Sequence, residues 1–256
     1  MSTLVLKLIA CLAMLIDHIG YFSRFGFAQY GDIMRAVGRI AFPIYCYLIA
    51  FGYRKTSNRY RYLVRLLVLG IISEAPYHYC FLGRVSFFSF NNVYYTLSLG
   101  LLGLILFDLM LKSGNVIKYL SPLPVALASF TAQHLGTDYG AEGVLLIFFF
   151  YLAGSNKPAL SASCLVFAAR KYIIAAGNGL WRSLVGSRPL SLTVKPWERM
   201  QLFAALALVP ILLCNGRRGY TPKSPAAQKV IQYSFYLFYP VHILILGLIF
   251  RNFIIK

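Results

Sequence analysis

Acidic residues are nearly missing from this chain. Seven Asp and Glu stand against 25 Lys and Arg in 256 residues, and charge of both signs together makes up 12%. A soluble domain spends about a quarter of its residues on charge, so the shortage argues against a water-facing globular fold. Cysteine is also scarce. Cys11, Cys46, Cys80, Cys164 and Cys214 are odd in number, widely spaced and mostly inside apolar runs. That pattern offers neither a disulfide ladder nor a metal knuckle. The four histidines lack helical ligand spacing, and no zinc site or other metal site is expected. Internal repeats of useful length are absent, which weighs against a repeat-built secondary transporter. Low-complexity segments are absent too.

Apolar residues fill the space left by charge. They make up 59% of the chain, 16% of it aromatic, with a mean hydropathy of +0.67. A helix needs roughly 20 apolar residues to cross the hydrocarbon of a bilayer, and apolar runs of about that length use up nearly the whole sequence. The fold class expected is all-α: a polytopic transmembrane helical bundle of about nine spans, with residues 1–256 forming one membrane domain. The spans read as residues 4–22, 38–53, 62–82, 92–111, 120–135, 141–154, 159–178, 199–214 and 231–250. The first is too long for a signal-peptide core and lacks a small-residue cleavage site, so it reads as a retained anchor.

The formal charge of +18 would suggest nucleic acid in a soluble protein. Here no binding module or long basic tail accompanies it, and no nucleic-acid partner is expected. Loop cations orient a membrane protein by facing the cytoplasm, and they favour anionic membrane lipids. Arg54, Lys55, Arg59, Arg61 and Arg65, then Lys112 and Lys118, then Arg217, Arg218, Lys223 and Lys229 all fall on one side if the N-terminus is inside. The stretch 179–198, with Arg182, Arg188 and Lys195, falls on the other side. It reads either as a re-entrant or interfacial helix or as a change in the number of crossings.

Ionisable groups at membrane depth are expensive, so each is a functional candidate. Asp17 and His18 lie near the outer end of the first span, and Arg39 opens the second. Glu74 and His78, Asn91 and Asn92, and Asp138, Tyr139 and Glu142 share that depth on other spans. Asp17 and His18 point about 100° apart on a helix. His18 therefore suits a general base, while Asp17 orients a different partner such as Arg39. His242 sits in the last span beside Pro240, whose ring frees a backbone carbonyl. It serves either a site or a cross-helix hydrogen bond. Arg170 and Lys171 fall inside a span. They either hold the phosphates of an acyl-carrying cofactor or snorkel to an interface.

Several stretches resemble the TraX family. They are Leu6-Lys7-Leu8-Ile9-Ala10 followed by Met14-Leu15-Ile16-Asp17-His18, and Gly38-Arg39-Ile40-Ala41-Phe42-Pro43-Ile44. Tyr139-Gly140 with Gly143, and Phe238-Tyr239-Pro240-Val241-His242, match the later landmarks. The resemblance runs in order over most of the chain and is weakest at residues 179–198. It implies a multi-pass protein of the bacterial inner membrane, linked to conjugative pili. It further implies an acyltransferase that moves acetyl from acetyl-CoA to the N-terminal amine of a pilin or similar exported acceptor. On that reading His18, Asp17, Arg39 and His242 are catalytic, and Arg170 with Lys171 binds the cofactor. The rival readings are an O-acyltransferase for a cell-envelope glycan or lipid, and a small transporter.

Overall fold

The computed structural model describes residues 1–23, 28–87, 89–114, 116–186 and 194–253, and among these there is helix but no strand. The helices are α1 (Thr3–Ser23), α2 (Ala28–Gly38), α3 (Ala41–Lys55), α4 (Arg59–Leu82), α5 (Val93–Leu111) and α6 (Leu123–His134). They continue with α7 (Gly140–Ala153), α8 (Lys157–Gly186), α9 (Pro196–Arg199), α10 (Leu208–Leu212) and α11 (Pro225–Phe253). Tight 3-10 turns precede α6 and α10.

Five helices among the described residues are long and apolar enough to cross a membrane: Thr3–Phe22, Tyr30–Lys55, Val93–Leu111, Lys157–Trp181 and Pro225–Arg251. The protein is a helical membrane protein. The predicted count of about nine spans is not reached on this measure, and the reason is physical. α4 is long, but Arg59, Arg61, Arg65 and Glu74 dilute its hydropathy, while α6 and α7 are 12 and 14 residues long. α8 runs well past the predicted span end at residue 178. Arg188 lies outside the described residues.

Local signals set the boundaries. The Asn58 side chain accepts from the Arg61 amide at 2.8 Å and opens α4, which ends at Gly83 with φ of 71°. Such side-chain caps and left-handed glycines satisfy terminal backbone groups that would otherwise be orphaned. Asn92 caps α5 by accepting from the Tyr94 amide at 3.1 Å. Pro240 removes a helical donor within α11, which frees the Tyr236 carbonyl. The Tyr94 hydroxyl donates to that carbonyl at 2.7 Å, so α5 fills the vacancy in α11.

Contacts between distant segments of the chain define two ends. At one, the Met1 amino group donates to the Leu213 carbonyl at 2.8 Å, and the Thr3 amide donates to Arg217. Arg59 pairs with Asp108 at 3.0 Å at the same end, where Tyr53 and Tyr151 also donate to that carboxylate. At the other end lie Asp17, Arg39, Glu74, Tyr139, Glu142 and His242. Buried Leu6, Ile44, Leu66, Leu101, Leu104, Ile147 and Ile243 fill the bundle between them.

Candidate functional site

The polar groups of the second end divide into three sets. In the first, Asp17 on α1 receives two guanidinium groups. Arg35 of α2 donates to one carboxylate oxygen at 2.5 Å, and Arg39, in the turn after α2, donates to the other. The helices come this close because Gly38 carries no side chain: a Cβ there would collide with Asp17. Arg39 also donates to the Tyr139 hydroxyl at 3.4 Å and, through Nε, to the Arg35 carbonyl at 3.2 Å. Tyr139 has φ of 64°, a left-handed backbone uncommon for a side-chain-bearing residue. Its ring stacks on Phe42 with centroids 3.6 Å apart, which holds the conformation in place.

The second set is Glu74, His78 and Asn92, all buried. Asn92 donates to Glu74 at 2.7 Å and the Ser89 amide donates at 3.1 Å. His78 Nε2 stands 3.5 Å from the carboxylate, without a hydrogen bond. The third set joins Glu142 of α7 to Arg170 and Lys171 of α8, with Lys171 at 2.7 Å. Both cations of the expected phosphate site thus already share one carboxylate. Gln201 accepts a further bond from Arg170 at 3.2 Å.

His18 and His242 come together. Nδ1 of His18 lies 2.7 Å from Nε2 of His242, and the rings are nearly parallel. Nδ1 of His242 lies 2.6 Å from the Phe238 carbonyl oxygen. A carbonyl only accepts, so Nδ1 of His242 carries the hydrogen and, in the neutral ring, Nε2 offers a lone pair. Nδ1 of His18 must then donate to that lone pair. Nε2 of His18 is left unprotonated. One ring fixes the tautomer of the other, as a second partner does for a catalytic or ligating imidazole.

His18 opens onto a cavity of about 270 Å³ that Asp17, Arg35, Arg39, Tyr77, Asp138, Tyr139 and Tyr239 also line. His242 stands behind it. Asp138 borders this cavity with a side chain that stays exposed. Desolvation by the protein packed nearby, with the Asp17 carboxylate adding to it, pushes its carboxyl up to about 6 against the pull of Arg39. Arg170, Lys171 and Glu74 do not line this cavity. The sequence placed Asp17, His18, Arg39, Asp138 and Tyr139 at one depth, and the cavity gathers all five. It also takes Arg35, which sequence reasoning missed. The available signal was its position one helical turn before Arg39.

A second, larger cavity of about 410 Å³ opens at the opposite end. It is lined by Lys7, Lys55, Arg65 and Arg218 among aromatic and polar side chains. Tyr45 of α3 lines both cavities.

Two comparisons bear on these residues. The family model described as TraX protein matches residues 2–250. The "Probable fimbrial assembly protein FimC, serogroup H1" of Dichelobacter nodosus is 28% identical over 253 residues, covering 96% of this chain and 94% of the relative. No solved structure matches the chain.

Proposed function

The chain belongs to the TraX family, and from that premise we propose that it is an acetyltransferase of the bacterial inner membrane. It takes acetyl from acetyl-CoA and gives it to the N-terminal amine of a pilin or similar exported subunit. The fimbrial name of its relative supports a pilus-type acceptor. The observation that carries the reading is the Phe238–His242–His18 relay, which leaves Nε2 of His18 unprotonated on a residue that lines a cavity.

In this reaction the acceptor nitrogen attacks the thioester carbonyl, so a C–N bond forms and the C–S bond breaks. The amine's proton passes to Nε2 of His18 and from there to the departing thiolate, and coenzyme A leaves as the free thiol. An α-amine has a reference pKa of about 8, so an imidazole is basic enough to remove the proton that attack releases. The charge developing on the carbonyl oxygen is met by Arg35 and Arg39, which line the same cavity. Asp17 holds both guanidiniums in position.

The test is transfer by the purified protein from acetyl-CoA to a peptide bearing the pilin's free N-terminus, read by intact mass. A gain of one acetyl group that disappears in His18→Ala is the expected result. Acetylation of glycan or lipid hydroxyls in place of the amine would reassign the enzyme as an O-acyltransferase. Solute flux without any covalent product would favour a transporter.

A further inference from the structure

The larger cavity has an unusual charge inventory. Lys7, Lys55, Arg65 and Arg218 line it, and no Asp or Glu does. None of the four forms an ion pair with a carboxylate among the described residues, whereas Arg35, Arg39, Arg59, Arg170 and Lys171 all do. Arg65 leaves its Nε buried without a hydrogen-bond partner. An unpaired buried guanidinium atom is costly, and four uncompensated cations around one cavity constitute a seat for a multiply charged anion. Aromatic rings flank them. Lys7 stands 5.5 Å from the centre of the Phe235 ring and Arg65 stands 5.8 Å from that of Tyr236. A chamber combining phosphate-binding cations with stacking rings suits a nucleotide better than inorganic phosphate.

The geometry of α1 joins this chamber to the base. Lys7 and His18 are eleven residues apart, which is close to three full turns, so they share a face. Cys11 and Met14 fall between them on that face. Cys11 lies 3.3 Å from the Tyr45 hydroxyl, Met14 lines the smaller cavity, and Tyr45 lines both. At 1.5 Å per residue the stripe from Lys7 to His18 is about 16 Å long. The extended pantetheine arm of coenzyme A, which separates its phosphates from its sulfur, is of comparable length.

Building on the acetyltransferase reading, we infer that the chamber of Lys7, Lys55, Arg65 and Arg218 seats the phosphates of the acyl-CoA donor. The thioester then reaches His18 along the Lys7–Cys11–Met14–His18 face of α1, past Tyr45. Donor and acceptor enter from opposite ends of the bundle. Arg170 and Lys171, already held by Glu142, are not needed for the donor.

Calorimetric titration of coenzyme A into the full chain, held in nanodiscs of uncharged phosphatidylcholine, tests this. Wild type should bind. Lys7→Met and Arg218→Ala should each weaken binding about tenfold, the loss of one charge-assisted contact. Lys7→Arg should keep it, His18→Ala should bind as wild type, and 3′-dephospho-coenzyme A should bind more weakly. Arg218 lies on an exposed loop, so its variant folds even if Lys7→Met does not. Wild-type affinity in both chamber variants would overturn the inference while acetyl transfer in the same preparation left the enzymatic reading intact. Absence of both coenzyme A binding and acetyl transfer would sink the reading itself. Retention of phosphatidylglycerol by wild type but not by Arg218→Ala, with no competition from coenzyme A, would assign the chamber to a lipid headgroup and overturn the inference.

Discussion

The two cavities solve the same electrostatic problem in opposite ways. In the smaller one the cations are answered from within: Asp17 lies between Arg35 and Arg39, and neither guanidinium can turn without losing its partner. In the larger one four cations face one another with no carboxylate on the wall. An internally paired set holds its geometry before anything arrives, which is what a reacting centre requires. An unpaired set is held apart by its own repulsion and gains most when an anion enters. The first arrangement suits chemistry, and the second suits capture.

The largest effect should come from removing the base at the paired end. His18→Ala is expected to lower acetyl transfer by about 10²–10⁴-fold, with helicity and detergent-melting temperature near wild type, because His18 borders a cavity. His242→Ala should cost activity as well, by releasing the tautomer of His18. Transfer at wild-type rate in both variants would end the role assigned to the pair.

Next, Asp17→Asn makes the paired cavity resemble the unpaired one. It leaves Arg35 and Arg39 partly buried without a counter-charge, at about 3 kcal/mol of stability, so folded yield and activity should fall together. Unchanged melting would mean that water already serves these guanidiniums.

The converse substitution, Gln232→Glu on the wall of the larger cavity, supplies the carboxylate that cavity lacks. It should weaken coenzyme A binding about tenfold and flatten its salt dependence. Unaltered affinity would show that the four cations are already screened.

The smallest effect concerns Asp138. Its folded-state pKa of about 6 lies above the ordinary 3.8, so the folded protein binds the proton more tightly than the unfolded chain. The resulting stabilisation is complete below about pH 4 and is lost as pH rises through about 6. Melting temperatures measured across that interval should fall more steeply for wild type than for Asp138→Asn. Parallel curves would remove Asp138 from the balance.

Much of this was legible in the sequence. Asp17, His18 and Arg39 stand at span ends, where hydropathy and charge change together, and their common depth follows from counting residues along apolar runs. Pro240 pointed to a freed carbonyl, and the structure supplies its donor, Tyr94. Other features were not legible because they depend on how helices lie side by side. The pairing of His18 with His242 joins residues 224 positions apart, and no periodicity within either helix encodes it. α2 escaped notice because it is short and only weakly apolar, and Arg35 went with it. Of the four cations of the larger cavity, Lys55, Arg65 and Arg218 were read as topology signals in separate segments, and Lys7 only as part of a family motif. Their convergence appears only once α1, α3, α4 and the loop before α11 are assembled.

Tyr45 has a consequence for the membrane's electrical insulation. Tyr45 lines both cavities, so where they enter from opposite faces part of the transmembrane voltage would fall across the layer that Tyr45 occupies. Moving one elementary charge through such a drop is worth about 2.3 kcal/mol per 100 mV. An acetyl thioester carries no charge, while the phosphates that do would stay with Lys7 and Arg218. On this arrangement the group passed across the bilayer is invisible to the field, and transfer should proceed at the same rate in energised and de-energised vesicles.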